Sequence, residues 1–209
     1  MKNDIQLNKD IVDFIDKLDV AIISKERQQI LLPLVEYLQE KLSLEKEILL
    51  NFICTHNSRR SHLGQVWAQT MASYYGIPSI LCFSGGTEAT AVYPMVIEVL
   101  KEAGFICEKD EEKDNPKYTI SFGKETPKII GFSKKYDDAF NPSENFGAVM
   151  TCSQADEACP IVFGAEKRIA ITYEDPKIAD GTPNEKSHYL ERSIQIATEM
   201  KYVFSKISL

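Results

Sequence analysis

The stretch EILLNFICTHNSRRSHLGQVWAQTMASYYG, residues 47–76, joins an apolar run to a helical pattern through a short polar loop. The run EILLNFI (47–53) is typical of a parallel strand that is buried on both faces. After the loop, apolar side chains recur at helical spacing on one face, formed by Leu63, Val66, Trp67, Thr70, Met71 and Tyr74. A strand, a loop and a helix in this order can bind an anion, because the first helical amides are unpaired and the helix dipole adds positive charge.

The same alternation of strands and helices continues along the chain. Further apolar runs predict strands at 78–84, 146–152 and 168–173, and helical patterns cover 91–104 and 185–207. Strands that alternate with helices predict an α/β fold, here a four-stranded parallel sheet with helices on both faces.

Two segments lie outside this alternation. Residues 1–46 carry two helical patterns, and Pro33 inside the second one predicts a kink or an interruption. We interpret these residues as an N-terminal helical extension that packs on the main domain, residues 47–209; a dimer contact or a partner surface is the alternative. Residues around 105–128 predict an inserted β-hairpin, since two short strand patterns flank a charged turn that contains Asn-Pro.

The composition limits the function classes. The chain has 209 residues and a formal net charge of −7, which argues against nucleic-acid binding and means that a local site must attract any anionic ligand. There is no signal-peptide pattern and no run of the roughly 20 apolar residues that a membrane helix needs, so we expect a soluble cytoplasmic protein without membrane contact. The 5 cysteines, an odd number, indicate thiols in a reducing compartment rather than a secreted disulfide framework.

The loop CTHNSRRS (54–61) places a thiol at its first position and Arg60 where the helix begins. If the loop curls, its amides, the Cys54 sulfur and the Arg60 guanidinium surround one tetrahedral oxyanion. The same positive environment favours a thiolate, and Ser61 can donate to the sulfur. The candidate substrate-binding residues are Thr55, His56, Asn57, Ser58, Arg59, Arg60 and Ser61. The alternative is a buried strand-end cysteine beside two solvated arginines.

FICTHNSRRS resembles the Cys-x5-Arg-Ser loop of low-molecular-weight protein tyrosine phosphatases and of the thioredoxin-coupled arsenate reductases built on the same fold. Three further segments are similar to that superfamily: SGGTEAT (84–90) to the loop after its second strand, VMTCSQADEACP (149–160) to the redox segment of the reductases, and YEDP (173–176) to its Asp-Pro acid loop. They occur in order within residues 47–207, whereas the N-terminal helices and the 105–128 hairpin lie outside the resemblance.

The resemblance implies a reaction that reduces arsenate to arsenite. Cys54 would attack arsenate, Arg60 would hold its oxygens, and Asp175 would protonate the leaving oxygen. Cys152 would then attack the Cys54 sulfur, Cys159 would attack Cys152, and a thioredoxin-like reductant would reduce the final disulfide. No cofactor and no metal are expected.

A disulfide between Cys152 and Cys159 is possible only with certain conformations of the segment between them. Along a continuous helix, Cys152 and Cys159 would be about 10.5 Å apart, whereas a disulfide needs Cα atoms within about 7 Å. The two can bond only if the intervening SQADEA segment is a loop or unwinds. The alternative is two unrelated thiols, because Cys82 and Cys107 show that the chain also uses cysteine as an apolar filler.

Two other functions stay open at this point. A phosphatase would share the first step but hydrolyse a cysteinyl phosphate with water; phosphotyrosine-specific relatives usually carry Tyr after Asp-Pro, where this chain has Lys177. A non-catalytic oxyanion sensor carried by the N-terminal helices is the second alternative.

The chain also departs from the pattern of the superfamily. His56 replaces a loop glycine, and Arg59 precedes the catalytic arginine. Gln65 stands where metal-binding reductases often have a helix carboxylate, which weighs against a potassium site. His62 and His188 are interpreted as ordinary surface or packing residues.

Overall fold

The computed structural model describes residues 6–110, 113–158 and 161–209. Its helices are α1 (Lys9–Asp16), α2 (Lys25–Ser43), α3 (Arg60–Tyr74), α4 (Pro94–Glu102), α5 (Ser153–Ala158) and α6 (Glu185–Ser205). Its strands are β1 (Gln6–Leu7), β2 (Ile48–Cys54), β3 (Ile80–Gly86), β4 (Ile106–Lys109), β5 (Tyr118–Ser121), β6 (Gly123–Lys124), β7 (Ile129–Gly131), β8 (Phe146–Met150) and β9 (Ala165–Ala170). Two short 3-10 helices span Val20–Ile22 and Pro176–Ala179. Within the described ranges, no helix is both long enough and apolar enough to cross a membrane.

The central sheet has four parallel strands in the order β3-β2-β8-β9, so the predicted fold class is confirmed. The two middle strands, β2 and β8, are almost completely buried, as their apolar runs predict. In register, Ile53 pairs with Met150, so the residues that follow both strands emerge at the same edge of the sheet. This edge carries Cys54 and Cys152.

Helix α3 is buried almost all round rather than on one face. Its polar side chains bond to the backbone of the neighbouring edge strand β3: Gln65 donates to the Cys82 carbonyl at 2.9 Å, and Gln69 donates to the Ile80 carbonyl at 3.0 Å. The Gln69 side chain also accepts from the Cys82 amide at 2.9 Å. These bonds satisfy buried polar groups that would otherwise be costly.

The N-terminal helices share the core of the rest of the chain. Ile11, Ile15, Leu31 and Leu34 are fully buried in the same apolar cluster as the central sheet. Helix α2 runs without a break through Pro33, so the predicted interruption is wrong. Burying several large apolar side chains, each worth about 1.5–3 kcal/mol, outweighs the roughly 3 kcal/mol cost of an internal proline.

Polar contacts fasten the N-terminal helices to α6. Arg27 donates two bonds of 2.8 Å to the buried Glu199 carboxylate. Lys201 donates to the carbonyls of Ile15 and Leu18, both at 2.8 Å, and so satisfies acceptors at the end of α1.

The hairpin predicted around 105–128 is present as the antiparallel pair β4 and β5. A third strand, β7, which was not predicted, pairs antiparallel with β5. The segment that follows β7 passes behind the loop that begins at Cys54, and it supplies contacts to that loop.

Candidate active site

The loop that begins at Cys54 closes on itself. The Cys54 sulfur lies 3.1 Å from the Ser61 hydroxyl oxygen, although seven extended residues span about 23 Å. The Asn57 side-chain amide donates to the same hydroxyl at 2.9 Å. Cys54 is buried at the end of β2, and Ser61 lies in the first turn of α3. The predicted curl of the loop is therefore present in the structure.

Asn57 fixes the shape of the loop. Its backbone has a left-handed φ of 44°, which asparagine tolerates better than most residues. Its side-chain oxygen accepts from the Lys134 amide at 3.0 Å, and its carbonyl accepts from His62 Nε2 at 2.9 Å. Asn57 is fully buried, so its side chain organises the loop from behind.

The loop carbonyls point outward to neighbouring segments. The Cys54 and Thr55 carbonyls accept from the amides of Thr87 and Glu88 at 3.1 and 2.8 Å. The His56 carbonyl accepts from the hydroxyls of Ser133 at 2.8 Å and Thr90 at 3.2 Å. The SGGTEAT segment singled out in the sequence therefore supports the loop.

The loop amides have no such partners. Across the described residues, none of the backbone amides of residues 55–59 donates to another group of the protein. Successive unpaired amides at the start of a helix form a nest for an anion. The loop, closed by the contact between Cys54 and Ser61, therefore presents unpaired donors of the kind that bind an anion.

Arg60 is buried, with 7% of its surface exposed, and contacts the segment before the second 3-10 helix. One terminal nitrogen donates to the Tyr173 carbonyl at 2.8 Å, and the other pairs with the Asp175 carboxylate at 2.5 Å. Its Nε is buried without a hydrogen-bond partner in the described protein. An orphaned donor of a buried cation is what an oxyanion would satisfy.

The Asp175 carboxylate makes two contacts, one with each oxygen. One carboxylate oxygen accepts from the Lys177 amide at 3.1 Å and caps the 3-10 helix that begins at Pro176. The other oxygen contacts Arg60. The carboxylate is thus held beside the Arg60 guanidinium.

The Arg59 guanidinium does not point into solvent but contacts the segment that follows Asp175 and two tyrosine side chains. It donates to Asp180 at 2.6 Å and to the Tyr189 hydroxyl at 2.5 Å, and it stacks 4.3 Å over the Tyr93 ring. What Arg59 offers an oxyanion is therefore its unpaired backbone amide. Its side chain ties the segment that carries Asp175 to the loop.

Cys152 lies next to the loop at the end of β8 and is buried, with 1% exposed. Its sulfur is 3.4 Å from the Thr55 hydroxyl and accepts from the Ala155 amide at 3.4 Å. The SQADEA segment that follows forms helix α5 rather than a loop. Arg168 pairs with the Asp156 side chain at 2.5 Å and also bonds to the Asp156 carbonyl, which ties α5 to β9. Cys159 lies outside the described residues.

Comparisons with known proteins agree with this geometry. Arsenate reductase 2 of Staphylococcus haemolyticus is 30% identical over 125 residues, which cover 60% of this chain and 76% of the relative. The chain belongs to the arsenate reductase family of the low-molecular-weight phosphatase superfamily. The predicted resemblance is thereby confirmed.

A further relative by sequence and a solved structure of the same fold were also found. Arsenate reductase of Bacillus subtilis is 28% identical over 144 residues, covering 69% of this chain and 85% of the relative. The crystal structure of a YwlE mutant from Bacillus subtilis shares the fold, with a TM-score of 0.51 and 14% identity over 76% of this chain and 97% of that one. No protein-family model matches the sequence.

Relative to the pattern of the arsenate reductase family, His56 and Gln65 are the departures to examine. His56 is partly exposed, and its Nε2 lies 3.5 Å from the Glu88 carboxylate at the rim of the loop. Gln65 is neutral, and its amide nitrogen is already bonded to β3. The Gln65 side-chain oxygen is buried without a hydrogen-bond partner in the described protein, but it is neutral and supplies none of the charge of a carboxylate, so no step is derived through a cation.

His62 is a packing residue and not a surface one. It is buried behind the loop, where Nε2 donates to the Asn57 carbonyl and Nδ1 accepts from the Ser84 hydroxyl at 3.2 Å. Burial, reinforced by the nearby Lys134 ammonium, lowers the pKa of His62 to about 3. The neutral ring is therefore the form that supports the loop.

His62 should make the fold sensitive to acid. In the unfolded chain its pKa is near 6.5, so between about pH 6.5 and 3 the unfolded state binds a proton that the folded state does not. The His62 contribution is fully present above pH 6.5, and we expect it to fall by on the order of 1 kcal/mol per pH unit below that. Urea unfolding of wild type and His62→Gln at several pH values measures this slope.

His188→Gln is the control for the His62 experiment, because it replaces an exposed imidazole of the same chain. The control should keep the wild-type slope, whereas His62→Gln should flatten it. Identical slopes in wild type and His62→Gln would contradict the prediction.

Proposed function

We propose that this protein reduces arsenate to arsenite, with Cys54 as the nucleophile and a relay of Cys54, Cys152 and Cys159 that ends on a thioredoxin-like dithiol. The observation that carries the proposal is a second buried thiol beside the oxyanion loop: the Thr55 hydroxyl lies 3.4 Å from the Cys152 sulfur, and Thr55 directly follows Cys54. A phosphatase needs no such thiol. Curated relatives named arsenate reductase support the same activity.

The first step forms a bond between sulfur and arsenic. Arsenate enters the nest of unpaired amides, and the Arg60 guanidinium binds its oxygens. The oxyanion takes the place of Asp175 on Arg60 and leaves that carboxyl group beside the substrate. The Cys54 thiolate attacks arsenic, and Asp175 protonates the departing oxygen, which leaves as water.

The second step reduces arsenic. The Cys152 thiolate attacks the Cys54 sulfur, the sulfur–arsenic bond breaks, and its electron pair goes to arsenic, which leaves as arsenite. A Cys54–Cys152 disulfide remains. The Cys159 thiolate then attacks the Cys152 sulfur and releases the Cys54 thiolate, and the external dithiol supplies the two electrons that reduce the Cys152–Cys159 disulfide.

The relay requires helix α5 to unwind. Cys152 directly precedes α5 (Ser153–Ala158), Cys159 is the next residue in the sequence after it, and a continuous helix over that stretch would separate the two by about 10.5 Å. Two contacts oppose the change: the Ala155 amide bonds to the Cys152 sulfur, and Arg168 holds Asp156. Formation of the Cys54–Cys152 disulfide would move the Cys152 sulfur and break its hydrogen bond with the Ala155 amide. Loss of this bond would loosen the first turn of α5.

The second candidate is a phosphatase that hydrolyses a phosphate monoester through a cysteinyl phosphate. The wide cleft beside Asp175, about 870 Å³, favours it, because arsenate alone does not need that much room. Lys177, in place of an aromatic wall, weighs against phosphotyrosine as the substrate.

Two activities measured side by side separate the candidates. Reductant-coupled arsenate turnover and aryl-phosphate hydrolysis should be measured in wild type, in Cys159→Ser and in the control Cys107→Ser. We expect coupled turnover in wild type, a fall of at least about tenfold in Cys159→Ser with hydrolysis unchanged, and no effect in the control.

Either of two results would overturn the reductase proposal. Fast aryl-phosphate hydrolysis in a wild type that has no coupled turnover would assign the protein to the phosphatases. Full thioredoxin-linked turnover in Cys159→Ser would remove the third cysteine from the relay.

A further inference from the structure

We infer that the cleft beside Asp175 contains a second anion-binding subsite, centred on Arg192, that takes a carboxylate or phosphate group on a small organic oxyanion ester bound at Cys54. The inference rests on the proposed oxyanion role of Cys54 and Arg60 but goes beyond arsenate, which has no second group. The cleft encloses about 870 Å³, a size typical of sites for organic ligands. Its lining includes His56 of the oxyanion loop and Asp175, which contacts Arg60, so the cleft adjoins the loop.

Arg192 is the central observation. It lines the cleft from helix α6, with only 9% of its surface exposed, and its Nε is buried without a hydrogen-bond partner in the described protein. One terminal nitrogen bonds to the side chain of Gln195. The other is 3.4 Å from the Glu174 carboxylate, whose side chain is 91% exposed. A pair of this length with a solvated carboxylate is weak, so Glu174 can yield the guanidinium to a ligand.

The charges around the cleft favour an anion. Lys177, His188 and His56 line it together with Arg192. The facing acids are Glu174 and Asp175, and Asp175 is already paired with Arg60. Because Asp175 is paired with Arg60, Lys177 and Arg192 are opposed only by Glu174 among the described lining residues, and this small positive excess attracts anions locally in a chain of net charge −7.

The described lining of the cleft contains no aromatic ring of Phe, Tyr or Trp. The described lining residues are charged, polar or aliphatic, with Ile178 and Pro176 as the apolar contacts, so an aromatic ring would find no aromatic partner among them. Recognition therefore comes from the second charge of the ligand rather than from stacking, and a planar guanidinium is suited to a carboxylate or a phosphate.

Binding to an inert protein tests the subsite without turnover. In a Cys54→Ser background, calorimetry compares phenyl phosphate with 3-carboxyphenyl and 4-carboxyphenyl phosphate. We expect at least one carboxylated ligand to bind about tenfold more tightly than phenyl phosphate. Arg192→Gln should reduce this advantage below about twofold and leave phenyl phosphate binding unchanged.

Two further variants keep the test decisive. Lys177→Met changes an exposed residue of the cleft and should reduce the advantage about threefold, even if Arg192→Gln fails to fold. Lys186→Gln removes an exposed cation of α6 that pairs with Glu102 outside the cleft lining, and it should preserve the advantage.

The outcomes separate the subsite from the proposed function. If none of the phosphates binds, the oxyanion role of the loop is wrong. The subsite is overturned if all three phosphates bind with equal affinity, or if the carboxylated ligands still bind more tightly in both Arg192→Gln and Lys177→Met. In either case the oxyanion role of the loop is retained.

Discussion

Cys54→Ser should abolish arsenate reduction and aryl-phosphate hydrolysis together, each by at least about 10⁴-fold. Cys54 is a free thiol at the start of the loop whose amides at residues 55–59 are unpaired among the described residues, and it is the proposed nucleophile. A serine hydroxyl at that position is a much weaker nucleophile, and the nearby Ser61 hydroxyl gives it no base. Single-turnover release of arsenite and steady-state hydrolysis measure the two losses.

The fold and the oxyanion nest should survive this change. Serine is close in size to cysteine, and the amides and Arg60 are untouched, so inorganic phosphate should bind Cys54→Ser within about threefold of wild type. Loss of phosphate binding would show that the variant damages the site rather than the chemistry.

Cys107→Ser is the matched control. Burial raises the pKa of the Cys107 thiol to about 11, so it is protonated at neutral pH, and it lies on β4. Both activities should stay at the wild-type level. Cys54→Ser that keeps either activity within about tenfold would remove the thiol from the mechanism.

The central sheet was predictable because its inner strands are buried on both faces. Apolar runs locate β2 and β8 within a residue or two, because a short continuous apolar run between polar loops is typical of a strand buried on both faces. The outer strand β9 was predicted at 168–173 but spans Ala165–Ala170. Its first residues include Glu166 and Lys167, and an edge strand carries such charges without losing its pairing.

Helix α3 shows why polarity in a sequence does not always mean exposure. Gln65 and Gln69 look like a solvent face, but both are buried against the backbone of β3. A side-chain amide can satisfy an edge carbonyl as well as water can, and no periodicity distinguishes the two. The same argument applies to Pro33, whose cost is offset by packing that only the tertiary structure reveals.

Within the site, contacts between residues close in sequence were predictable, whereas contacts between residues far apart in sequence were not. The closure of Cys54 on Ser61 was predictable because both ends of the contact lie in one short loop. The partner of Arg59, Asp180, is 121 positions away, and the sequence gives no sign of it. Arg192 was missed as well, because a single arginine on a long helix looks like a solvated charge until its burial is known.

Asp175→Asn should lower the rate and tighten binding at the same time. The amide cannot protonate the leaving oxygen, so kcat should fall by about 10²- to 10³-fold. The same carboxylate holds the Arg60 guanidinium at 2.5 Å, and in the proposed reaction the incoming oxyanion displaces it. A neutral amide competes less well for Arg60, so inorganic phosphate should bind about three- to tenfold more tightly than in wild type.

These opposite changes distinguish an acid from a structural cap. Asp175 also caps the 3-10 helix through the Lys177 amide, a bond that the oxygen of asparagine can still accept. If Asp175 were only a cap, Asp175→Asn would change neither kcat nor the affinity for phosphate, whereas an acid that shares Arg60 with the substrate changes both. Competitive inhibition by phosphate and pre-steady-state rates measure the two effects separately, and a fall in kcat with weaker phosphate binding would contradict the displacement of Asp175 by substrate.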